Sequence, residues 1–202
     1  MSGFMTKVYQ WMSLGLLTTA GTIALSSIWV QDNLDYLAEN RWLFWSLMIA
    51  PLLVAIWLSA SVMNISHKWS AIAFFGYSIL MGIFMSFVVL QYTELSVLVT
   101  FLVCSASFVG LSIIGATTKR DLTTMGTFCL YLLIGLIVAS IVNIFFASSL
   151  LYWITTYVGI IVFACLTAYD TQKIMKYKPL DKEMENRWAI LGALNLYLDF
   201  IN

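Results

Sequence analysis

Asp170 and Asp199 lie inside runs of apolar residues that otherwise read as membrane-spanning helix. A carboxylate in hydrocarbon is costly, and it is retained where it passes ions or relays protons. The other acidic residues fall in connections or near segment ends. Asn195, Asp199 and Asn202 are spaced i, i+4, i+7, so they share one helical face. A polar stripe on an apolar helix is expected to face protein rather than lipid. The two segments that carry the aspartates follow one another, so they are antiparallel neighbours and their carboxyls can meet.

If they meet, physics restricts the outcome. Two carboxylates in low dielectric cannot easily both ionise, so one proton is shared and the pair titrates in two separated steps. Protonated, the pair is a neutral hydrogen-bonded latch between two helices. Deprotonated, it repels, and a cation relieves the repulsion. Ca²⁺ suits such oxygens but takes about six to eight of them. Asp170, Asp199 and the Asn195 side chain fall short of that. Backbone carbonyls and water would supply the rest, giving a weak, transient site suited to permeation rather than storage. The alternative is a purely structural acid pair, or two separate aspartates each hydrogen-bonded to neighbours.

No enzyme is read from the chain. A retinal protein needs a lysine in its last helix, and Trp188–Asn202 has none. No histidine lies inside a span to serve an intramembrane serine protease, and His-Glu-x-x-His is absent. A proton-coupled transporter stays open, without an evident inverted repeat. His67, the only histidine, could sense pH by its type, but beside Lys68 in a connection it reads first as a solvated group.

The elements that must hold these residues follow from composition. Of 202 residues 61% are hydrophobic and 10% charged, with mean hydropathy +0.91. A soluble domain carries about 25% charged residues, so this chain is expected to dissolve mainly in lipid as one domain over 1–202. The net charge is zero, and no basic cluster suggests nucleic acid. Cys104, Cys129 and Cys165 fall in different apolar segments and read as small buried side chains, without the spacing of a metal site.

A span needs about 20 apolar residues to cross about 30 Å of hydrocarbon. Six segments meet this: Val8–Val30, Trp42–Ile65, Ser70–Gln91, Ser96–Ala116, Thr124–Phe146 and Leu151–Ile174. A seventh, Trp188–Asn202, is shorter and reaches roughly 22 Å. The sixth is expected to run on to Lys178, with Pro179 marking its end, which brings Asp170 closer in depth to Asp199. A cleavable signal peptide ending near Thr18-Thr19-Ala20 is the less favoured reading of the first segment, whose apolar run is long for one. Pro51 is expected to kink the second helix. Asn64 and Asn143 are expected to bond between helices.

The connections are short, and their charges alternate between sides. The side of the N-terminus collects Lys7, Lys68, Lys119, Arg120, Lys173, Lys176, Lys178, Lys182 and Arg187, while the other collects only Arg41. Basic residues stay in the cytoplasm, so the N-terminus is expected there, in a multi-pass protein of the cell's inner (plasma) membrane.

The residues around the two aspartates carry a resemblance. Ala168-Tyr169-Asp170-Thr171-Gln172-Lys173-Ile174 and Ala193-Leu194-Asn195-Leu196-Tyr197-Leu198-Asp199-Phe200-Ile201-Asn202 resemble the signature of the Bax inhibitor-1 (transmembrane Bax inhibitor motif) family. Gly115-Ala116-Thr117-Thr118-Lys119-Arg120-Asp121-Leu122 resembles its loop after the fourth helix. The resemblance implies an all-α fold, six helices around a central seventh, in a bacterial-type member. It implies a pH-sensitive Ca²⁺ leak with Asp170 and Asp199 as proton sensor and ion site, and no resident cofactor. Eukaryotic members are linked to suppression of cell death. Some bacterial members associate with a membrane protease, so a non-transporting regulator that binds such a protein is the rival function, with Met175–Arg187 as its contact. Family chains continue past the Asp-Phe-Ile-Asn segment with more apolar residues and a short basic tail, which would lengthen the seventh helix. They also place a basic residue on the second helix as closed-state partner of the sixth-helix aspartate. That helix has no arginine inside it here, so His67 and Lys68 at its cytoplasmic end are the candidate gating partners.

Overall fold

The computed structural model describes residues 3–177 and 181–201. The expectations for Lys178, Pro179 and Asn202 lie outside the described residues, and within the helices the side chain of Arg41 does too. Among the described residues every regular element is an α-helix: α1 (Gly3–Asp32), α2 (Leu34–Glu39), α3 (Arg41–Ser61), α4 (His67–Val89), α5 (Glu94–Thr117), α6 (Thr123–Phe146), α7 (Ser149–Lys176) and α8 (Lys182–Ile201). Five of them, α1, α4, α5, α6 and α7, are long and apolar enough to cross a membrane. In α3 the described apolar stretch is the shorter Trp45–Ser61. Side chains such as Phe145, Phe146, Leu25 and Ile144 stand largely exposed, which water would penalise and lipid does not. The chain is a multi-pass membrane protein.

Several boundaries differ from expectation for local reasons. The connection read at Gln31–Arg41 holds a short helix, α2. His67 and Lys68 are not in a loop but open α4, after Ser66 in extended conformation. The last helix starts at Lys182 rather than Trp188 and has 20 residues. Asp181 starts it, its carboxylate accepting from the Met184 N–H at 2.7 Å, and Glu183 and Glu185 place negative charge in the first turn, where the helix dipole favours it. α7 ends at Lys176, with Tyr177 extended after it. α3 stays helical across Pro51. Asn64 and Asn143 do not bond between helices. Asn64 donates to the Ala60 carbonyl one turn back, and Asn143 accepts from the Ser148 N–H, where Ala147 turns left-handed at φ 46° and ends α6. Amides near helix ends find orphan backbone groups close by. Cys104 is exposed on α5, whereas Cys129 is buried and Cys165 half-buried.

The chain divides into two compact units, residues 1–101 with 178–197, and residues 102–177 with 198–202. In the first, α1 packs on α4 through small residues. A Cβ added to Gly82 would lie 2.5 Å from the Thr22 Cβ and 2.9 Å from the Thr19 carbonyl oxygen. The α8 residues of this unit are enclosed: Ala189, Ile190, Ala193, Leu194, Leu196 and Tyr197 have no exposed surface. The Tyr197 hydroxyl lies 2.7 Å from the Thr19 hydroxyl, and its ring meets Phe74 and Tyr77 edge-on. At the other end of the same stretch, Lys7 pairs with Glu185, and Arg187 donates to the Met63 carbonyl at 3.0 Å. In the second unit, α6 and α7 pack around Cys129, Val162 and Leu166.

Candidate functional site

Asp170 and Asp199 both belong to the second unit. The way α7 is seated explains where Asp170 points. A Cβ on Gly115 of α5 would come within 2.2 Å of the Ala168 carbonyl oxygen, and one on Gly126 of α6 within 2.4 Å of the Tyr169 ring. These two glycines let the backbones approach closely, as small residues do between membrane helices. Ala168 and Thr171, three apart on one face, are turned to α5, where the Thr171 hydroxyl meets that of Ser112 at 3.5 Å. Tyr169 is turned to α6. At about 100° per residue, Asp170 is left facing a third direction.

The charge acting on the Asp199 carboxyl is that of Asp170, and the charge acting on Asp170 is that of Lys173, one turn on. Lys173 carries its ammonium 5.6 Å from the centre of the Tyr169 ring. Each aspartate is half-buried as a residue. The Asp199 Oδ2 atom is fully buried and has no hydrogen-bond partner among the described residues. Next to Asp199, Phe200 packs edge-on against Phe108 of α5. A buried acceptor without a donor costs about 1–3 kcal/mol, more if charged.

The other expected site residues are placed as follows. α8 is unbroken, so Asn195 keeps its one-turn spacing from Asp199, and it is half-buried in the first unit. His67 is half-buried and Lys68 exposed; both lie in the first unit and neither forms a hydrogen bond or ion pair among the described residues. The basic residue engaged near the end of α3 is Arg187. It bonds the Met63 carbonyl and Glu183, while its Nε is buried without a partner among the described residues. Among the described residues no three or more of His, Cys, Asp and Glu converge as a metal cage would require.

Sequence reasoning missed Gln172. It is 6% exposed, and its amide spans the α5–α6 loop. Nε2 donates to the Arg120 carbonyl at 2.9 Å, and Oε1 accepts from the Leu122 N–H at 3.0 Å and from Lys176 Nζ at 3.0 Å. Lys176 also reaches Asp121 at 3.0 Å. Asp121 accepts from the Thr123 hydroxyl at 2.7 Å and from its N–H at 3.2 Å. These bonds, the Thr123 hydroxyl first and Lys176 next, hold the Asp121 carboxyl down at about 2. The signal that could have found Gln172 is its place in the Tyr169–Lys173 motif two residues after Asp170.

The family described as inhibitor of apoptosis-promoting Bax1 matches residues 1–202. The inner membrane protein YbhL of Escherichia coli (strain K12) is 41% identical over 210 residues, covering 98% of this chain and 86% of YbhL. RP147 of Rickettsia prowazekii is 40% identical over 201 residues, 98% of this chain and 84% of its own. YrjE of Lactococcus lactis is 36% identical over 204 residues, 100% of this chain and 87% of its own.

Proposed function

Because this chain belongs to the Bax inhibitor-1 family, we propose that it is a pH-sensitive cation leak of the bacterial inner membrane, with Ca²⁺ as the permeating ion and protonation of Asp170 and Asp199 as the gate. The observation that carries the reading is the buried, unpartnered Asp199 Oδ2 with Asp170 as the charge acting on it. An oxygen in that position is stabilised by a proton shared with the second carboxyl, or by a cation between the two. A two-carboxylate site falls well short of the ligand number of a storage site, which suits passage rather than retention. Asn195, one turn before Asp199, extends the polar face of α8 along which an ion moves. In the arrangement that the family resemblance implies, six helices around the seventh, that face would lie inside protein. His67 and Lys68 are the candidate countercharges of the closed state, and the membrane location follows YbhL, named an inner membrane protein.

The test is Ca²⁺ flux into liposomes holding the purified protein, measured across pH. Asp170→Asn and Asp199→Asn should each flatten the pH dependence of the flux, because each removes one titrating member of the pair. The double variant should lose little more than either single one, because the two act as a pair. Wild-type pH dependence in both single variants would overturn the gate. Zero flux together with stable capture of a membrane protease would favour the regulator instead.

A further inference from the structure

We propose that Gln172 is a positioning residue that fixes the axial setting of α7 and thereby aims Asp170 at Asp199. The proposal rests on reading those two aspartates as a working pair. Gln172 lies two residues after Asp170, about 200° around the helix, so its amide engages the α5–α6 loop on a different side from the carboxyl. The glycine contacts at Gly115 and Gly126 set how closely α7 approaches its neighbours. Apolar contact has no direction along a helix axis, and a helix seated only by it can slide. Gln172 supplies direction. It donates to the Arg120 carbonyl and accepts from the Leu122 N–H, the backbone N–H at the N-cap of α6, which lacks an intrahelical partner.

Glutamine is the side chain this position requires, since one amide carries a donor and an acceptor at the same reach. A glutamate would keep the bonds from Leu122 and Lys176 but could not donate to Arg120. A methionine of similar length would lose them all. Lys176, bonded to both Gln172 and Asp121, ties the same turn to the loop a second time.

The experiment uses the full chain in liposomes, with Cys104, Cys129 and Cys165 replaced by alanine and cysteines introduced by Asp170→Cys and Asp199→Cys. Copper–phenanthroline oxidises the pair to a disulfide, and the rate of bond formation reports how well positions 170 and 199 face each other. Gln172→Met should slow the reaction about tenfold, the effect expected from losing hydrogen bonds to two part-buried backbone groups. Gln172→Glu should restore it to within about threefold of the parent. Native Cys129 and Cys165, packed together between α6 and α7, report the same setting of α7 in a chain retaining only those two, and Gln172→Met should slow their bond formation too. Equal rates at 170–199 with and without Gln172→Met, an unaltered rate at 129–165, or no rescue by Gln172→Glu would each overturn the role. Because this readout needs no ion flux, a failed leak would not be mistaken for a failed clamp.

Discussion

A methyl group added at Gly115 would land 2.2 Å from the Ala168 carbonyl oxygen, and backbone cannot swing aside as a flexible side chain can. Gly115→Ala should therefore cost about 1–3 kcal/mol, read as a lowered unfolding midpoint in detergent. Gly135→Ala, on the open side of α6 with nothing within 4 Å, should be neutral or stabilising, since alanine is the better helix former. Asp121 gives a second residue-scale outcome. Its carboxyl titrates near 2 in the folded loop against an ordinary 3.8. A depressed value means a contribution fully present above about 3.8 that is lost as pH falls through that value toward 2. Exchange of the Thr123 amide hydrogen, relative to the interior of α6, should accelerate across that window, and Asp121→Asn should remove the pH-dependent part. At this scale legibility in the sequence was uneven. Asp170 and Asp199 announced themselves, because a carboxylate in an apolar run contradicts its surroundings. Gln172 did not, since an amide near a helix end has the same appearance whether it meets water or a neighbouring loop. The glycine contacts were hidden too, because close approach is a property of two segments and not of one.

The element scale turns on α8. Its stretch in the first unit is held by Tyr197 bonding Thr19 and by Lys7 pairing with Glu185. Tyr197→Phe should lower the unfolding midpoint in detergent by an amount worth about 0.6–1 kcal/mol. Thr19→Val should do the same, and the double variant should add little, the signature of one shared bond. The length of the apolar runs pointed to the long helices α1, α4, α5, α6 and α7, since hydrocarbon imposes a minimum run of apolar residues. The start of α8 was misjudged because its first turn is charged. Lys182, Glu183, Glu185 and Arg187 look like a connection until Asp181 is seen capping them. α2 was missed for a related reason. Six residues are too few for a periodic signal to separate from a polar loop.

For the whole molecule, the distribution of basic residues makes a prediction independent of any site. The seven expected crossings would put nine Lys and Arg on the side of the N-terminus and one on the other, so a reporter fused before α1 should remain cytoplasmic. Moving the surplus, by adding lysines around Arg41 and removing Lys119 and Arg120, should produce a fraction of inverted molecules in a protease-protection assay. Composition alone was enough to assign the chain to the bilayer. It could not say which helices lipid would enclose and which protein would. α8 is of the second kind. It is not among the helices apolar enough to enter hydrocarbon unaided, yet much of it is sealed from contact with anything but the chain itself. It also leaves the ribosome after α1, α3 and α4, which supply Thr19, the Met63 carbonyl beyond α3, and Tyr77. Its insertion thus depends on a berth already built, so biogenesis has an obligatory order, and damage to that berth should first be felt as degradation of newly made protein.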